Sequence, residues 1–73
     1  AETNFWKGEI YSAQDDLSKA ISSYQLAINQ TSASDPYFLK ATYGLGYAYF
    51  NSQAYASAEQ QFQAYRSSQR NKN

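Results

Sequence analysis

Enzyme chemistry needs groups that pass protons, attack carbon or phosphorus, or hold a metal, and this chain offers few of them. Its 73 residues include no histidine and no cysteine, which removes the commonest general base, the thiolate nucleophile and the usual transition-metal ligands. Carboxylates, hydroxyls and lysines remain. Asp15 and Asp16 are an adjacent carboxylate pair, but neighbouring side chains at a helix start diverge, and their expected work is to accept unpaired amide protons of the first turn. Gly44 and Gly46 lie inside a helical pattern, not after a strand, so they imply no dinucleotide fingerprint. The run Asn29-Gln30-Thr31 fits a glycosylation sequon, a pattern that a chain rich in Asn and Ser meets by chance. No catalytic, cofactor-binding or metal-binding residue is assigned, and the chain is not expected to be an enzyme.

Charge excludes further classes. Six basic and six acidic residues cancel and only 16% of the chain is charged, which leaves no electrostatic footprint for nucleic acid. No apolar run approaches the roughly 18 residues of a membrane span, so no membrane insertion is expected and the chain reads as soluble. Recognition then rests on shape and apolar contact. The aromatic share is 18%, with eight tyrosines, a residue type enriched at interfaces. A protein or peptide partner, or self-association, is the expected use. With no methionine present, Ala1 is expected to be a processed start or the edge of a fragment.

The elements that must position these residues follow from an internal repeat. Gly8 and Gly46 are 38 positions apart, and the same offset takes Tyr11 to Tyr49, Leu17 to Tyr55, Ala20 to Ala58 and Tyr24 to Phe62. Within each unit the spacing is that of one helix followed by another. Leu17, Ala20, Ile21, Tyr24, Ala27 and Ile28 recur at steps of three and four, one apolar stripe on a helix that Asp15 and Asp16 begin and polar Asn29 to Ser34 end. A less regular helix, from about Thr3 to Ala13, precedes it. Asp35 as N-cap and Pro36 at the first helical position start a third helix, and Asn51, Ser52 and Gln53 break it. Tyr55, Ala58, Phe62 and Tyr65 step along a fourth, with Arg66, Arg70 and Lys72 at its negative end. The expected fold is all-α, antiparallel helix pairs stacked as a short α-solenoid. Residues 1–34 are the first pair with its connecting loop, 35–73 the second, in one domain expected to be part of a longer repeat protein.

These residues resemble the tetratricopeptide repeat family: Gly8, Tyr11, Ala20, Tyr24 and Ala27 in the first unit, Gly46, Tyr49, Ala58 and Phe62 in the second. The stretch Tyr43 to Phe50 (YGLGYAYF) is especially similar, and Pro36 resembles the proline that ends the family's unit. The family repeat is usually 34 residues. The added length here is placed around Thr31 to Ser34. Tyr65 stands where the family prefers alanine, and Asn4 and Lys7 where it prefers large apolar residues. The resemblance implies a protein-interaction module whose first helices line a groove for peptides. It does not imply the subclass that clamps acidic tails with Lys and Asn, because the matching positions hold Phe5, Glu9, Tyr43 and Tyr47.

At 100° per residue, Phe38, Ala41, Thr42, Leu45, Ala48, Tyr49 and Ser52 share the expected packing face of the third helix. Lys40, Tyr43, Tyr47 and Phe50 project from the opposite side, which that helix's own repeat is not expected to need. The first helix would add Glu2, Phe5, Glu9 and Ser12. The expected partner-binding residues are therefore Phe5, Glu9, Lys40, Tyr43, Tyr47 and Phe50; the second function kept open is a structural spacer or self-association element. Replacing Ala20 or Ala58 by leucine should overfill a close helix contact and cost about 1–3 kcal/mol, whereas change at Ser23 or Gln60, expected on the surface, should cost little. Thermal melting of Ala20→Leu beside the parent chain checks this: equal midpoints would contradict the helix-pair reading.

Overall fold

The computed structural model describes residues 2–32 and 34–71, which form α1 (Glu2–Ala13), α2 (Leu17–Asn29), α3 (Pro36–Asn51) and α4 (Tyr55–Asn71). All four expected helices are present, with ends within a residue or two of those expected. Asp35 caps α3 as its type demands: its Oδ1 accepts the Tyr37 amide at 2.8 Å, and Pro36 beside it has no amide proton to satisfy. That backbone hydrogen bond holds the Asp35 carboxyl below the ordinary carboxylate range.

Both helix pairs are closed by the same turn. After α1, the Asp16 amide reaches back to the Tyr11 carbonyl at 2.9 Å and the Asp15 amide to Ser12 at 3.0 Å. After α3, Ala54 reaches Tyr49 at 2.8 Å and Gln53 reaches Phe50 at 3.0 Å, the same bonds 38 residues on. Such nested bonds need a left-handed residue, and Asp15 (φ 62°) and Gln53 (φ 68°) supply it. Asp15 is therefore the stop of α1 and not part of the cap of α2. Asp16 alone does that work, accepting the Lys19 amide at 3.3 Å. Its counterpart after α3 is Ala54, so α4 starts without this side-chain cap.

The tight turns fold α2 back on α1 and α4 back on α3, and α2 also packs on α3. Because α2 is antiparallel to both its neighbours, α1 and α3 run parallel and touch side by side; among the described residues, the backbone of α4 neighbours α3 alone. The result is a slab of 35 × 26 × 16 Å, its thin dimension matching two helix layers. Small residues let the helices close: Ala20, Ala27, Ala41 and Ala48 are wholly buried, and Ala58 nearly so. Ser23 is buried as well, against expectation, because it borders the alanine stripe on the inner side of α2. On α3 the packing face holds Ala41, Thr42, Leu45 and Ala48 as expected, with Leu39 and Gly46 added. Phe38 and Tyr49 are half-buried and Ser52 is exposed. Of the expected basic end of α4, Lys72 and the side chain of Arg70 lie outside the described residues, as does Ala33 of the inter-pair loop.

Tyr24 occupies the centre. It is 2% exposed, and its ring edge is met by two helix backbones. A Cβ at Gly8 on α1 would lie 2.6 Å from its Cε1, and a Cβ at Gly44 on α3 would lie 2.6 Å from its Cζ. Gly46 repeats the first contact one unit on, against Phe62 Cε1 at 2.7 Å. The three glycines are close-approach positions, with no unusual backbone angle. Added methyls at Gly8 and Gly46 should nevertheless differ in effect. Alanine gains about 1 kcal/mol of helix propensity over glycine at either site. Tyr24 is confined by Gly44 and cannot yield, so Gly8→Ala should lose about 1–3 kcal/mol to overpacking, whereas half-buried Phe62 can swing outward. Urea midpoints should fall for Gly8→Ala and hold or rise for Gly46→Ala; the reverse order would contradict the clamped ring.

Candidate functional site

The parallel course of α1 and α3 leaves a furrow between them. It encloses about 590 Å³, with Glu9 and Ser12 on one wall, Lys40, Tyr43 and Tyr47 on the other, and Tyr65 of α4 at the rim. Phe5, Tyr24, Leu39 and Gly44 form its floor. The close approach at Gly44 opens this floor, since a side chain there would meet the Tyr24 ring. Tyr24 turns its hydroxyl into the furrow and donates to Glu9 Oε1 at 3.0 Å.

Five of the six expected partner-binding residues line this one groove. Phe5, Glu9, Lys40, Tyr43 and Tyr47 are brought together; Phe50 is not. The Phe50 ring packs edge-on against Tyr55 at 5.3 Å, in a separate cleft with Phe62 and Arg66. The reason is level and not angle: Phe50 projects within about 20° of Tyr43 but lies seven residues, about 10 Å, further along α3, in its last turn, where Tyr55 at the start of α4 takes up its ring. Phe5 is in the groove but as floor, 7% exposed, because its ring is held by Trp6 at 5.0 Å and Tyr37 at 5.5 Å. Glu2 is drawn away from the groove; its Oε2 accepts the Tyr37 hydroxyl at 3.0 Å, a bond that also raises the Tyr37 phenol above its ordinary value.

Tyr43 and Tyr47 are 42% and 48% exposed, yet their own repeat does use them. Tyr43 packs at a tilt against Phe62 at 5.7 Å and Tyr65 at 5.1 Å, and Tyr47 meets Phe62 edge-on at 5.5 Å. The expectation that these rings stand free of their repeat is corrected accordingly: one side of each ring is packed and the remainder faces the groove. The Tyr43 hydroxyl donates to that of Tyr47 at 3.3 Å, and this bond raises the Tyr43 phenol. Tyr24, Pro36, Leu39, Gly44 and Tyr65 also line the groove and are not assigned to it by the sequence. Tyr65 carried a signal, as a bulky ring where the repeat has Ala27, whereas the Tyr24 hydroxyl carried none, since a buried ring reads as core alone.

Comparison with protein-family models, with curated proteins and with solved structures finds no match. Among the described residues there is no cluster of three or more potential metal ligands, and no helix is long and apolar enough to cross a membrane.

The Tyr24 phenol carries a pH dependence. Burial, then the nearby Glu9 charge, raises its pKa far above the ordinary phenol value. A folded pKa above the unfolded one favours the neutral phenol in the native state. The associated stability is present in full below about pH 10 and is lost as pH climbs towards the raised value. Alkaline titration followed by circular dichroism should show unfolding above that point, and Tyr24→Phe, which has no proton to lose there, should unfold at higher pH. An unchanged alkaline midpoint would contradict the burial of this hydroxyl.

Proposed function

We propose that this chain is a protein-interaction module of tetratricopeptide type, which binds a peptide or a segment of a partner domain in the groove between α1 and α3. The observation that carries the proposal is the groove itself, a concavity of about 590 Å³ whose walls present half-exposed tyrosine rings. Tyrosine supplies contact area with few rotors to freeze and a hydroxyl for hydrogen bonding. A concave, mostly apolar surface with a few polar groups is the usual form of a binding site. The family assignment rests on the glycine–aromatic contacts repeated at 38 residues and on first helices lying side by side, features that support it by analogy. A sequence without histidine or cysteine supports a role outside catalysis.

The second reading, a structural spacer or self-association element, draws on a different surface. Trp6, Ile10, Phe50 and Tyr55 are each half-exposed or more, all away from the groove. Apolar surface of this kind marks contact with other chains. The two readings separate on one pair of variants. Tyr43→Ser with Tyr47→Ser should abolish peptide or partner capture, with helix content by circular dichroism nearly retained and sedimentation unchanged. Trp6→Ser with Ile10→Ser should leave capture intact. Capture that survives the tyrosine changes, or self-association that disappears with them, would contradict the groove as the partner surface.

A further inference from the structure

The groove carries charge at two levels, and this pattern describes its occupant. The repeat offset of 38 sets Phe5 level with Tyr43 and Glu9 level with Tyr47 on the parallel helices. Lys40 is seven residues before Tyr47, so the backbone levels that carry Lys40 and Glu9 are about 10 Å apart along the axes, at 1.5 Å per residue. Neither group has an ion-pair partner among the described residues. Among the described residues the ion pair present is Lys19 with Asp16, neither of which lines the groove. Lys40 lies with its ammonium 5.1 Å from the centre of the Tyr37 ring, a contact that steadies it without cancelling its charge.

Glu9 is held for use. Its Oε1 accepts the hydroxyl of a tyrosine that is itself immobile in the core, while Oε2 has no hydrogen-bond partner among the described residues. Across the furrow stand the rings of Tyr43 and Tyr47. A cation placed there gains the carboxylate and the negative ring faces together, and a planar guanidinium suits both.

We propose that the groove takes an extended segment of a partner protein in which a basic side chain seats on Glu9, facing the tyrosine wall, and an acidic side chain reaches Lys40. At about 3.3 Å per residue of extended chain, a separation of about 10 Å sets the two charges three positions apart, with uncharged residues between them over the apolar floor. This rests on the reading of the groove as the binding surface. The charges orient the segment: reversed, it would bring like charges together at both ends.

Selection of a phage-displayed random heptapeptide library on the immobilised chain tests the pattern. The expected result is enrichment of a basic residue, with an acidic residue three positions away, each about tenfold over its input frequency, the factor that 1.4 kcal/mol corresponds to. Glu9→Gln should lose the basic preference and keep the acidic one, and Lys40→Gln should do the opposite. The glutamine amide oxygen can still accept from Tyr24, so the melting midpoint of Glu9→Gln serves as the folding control. Peptides that require Tyr43 and Tyr47 but show no charge preference would overturn this inference and leave the groove reading standing. Failure to enrich beyond the Tyr43→Ser, Tyr47→Ser double variant would overturn both.

Discussion

One ring sets the spacing of this molecule. Tyr24 sits where α1, α2 and α3 meet, and two of the three helices approach it through a glycine because nothing larger fits. The contact fixes how close α1 comes to α2 and, through Gly44, how close α3 comes to the first pair. It therefore fixes the parallel lie of α1 and α3 and the furrow between them. The same residue carries its hydroxyl into the furrow and anchors Glu9. Packing and the candidate site are coupled through one side chain, and the fully buried alanines around it supply the close approach that a small core of this size needs.

The two units are alike in backbone and unlike in chemistry. Their turns match bond for bond, down to a left-handed residue at Asp15 and Gln53. Their side chains diverge where each unit faces something different. Glu9 becomes Tyr47, so the groove has an acidic level on one wall and a phenol on the other. Ala27, wholly buried, becomes Tyr65, whose ring packs at a tilt against Tyr43. Gly44, which admits the Tyr24 ring, corresponds to Trp6, half-exposed on the outer side of α1. A tryptophan could not seat on a ring as Gly44 does. The outer face of α1 is thus not a copy of the face that joins the two pairs.

Most of the fold was legible because its signals are local or periodic. Asp35-Pro36 marks a helix start by cap chemistry, the stripe from Leu17 to Ile28 marks a buried face, and the pairs Gly8–Tyr24 and Gly46–Phe62 recur at one offset. What escaped depends on neighbours in space. Asp15 and Asp16 look equivalent in sequence, and only the tight turn assigns one to stop a helix and the other to start the next. Ser23 looks polar and exposed but lies on the arc that alanine packing covers. In the site, angular projection put Lys40, Tyr43, Tyr47 and Phe50 on one arc, but an angle carries no level along the axis, and Phe50, in the last turn of α3, meets Tyr55 of α4 instead of the groove. Phe5 was placed in the right furrow at the wrong depth, because burial by Trp6 and Tyr37 is invisible in spacing.

The stacking of the two pairs through Tyr24 can be read directly by proton nuclear magnetic resonance. Ring protons of Tyr24 within a few ångströms of both glycines should give nuclear Overhauser effects to the α-protons of Gly8 and of Gly44, with both sets shifted by the ring current. Cross-peaks to Gly8 alone, with the Gly44 protons at ordinary helical positions, would mean that the second pair does not close on the first, and the furrow between α1 and α3 would have no basis.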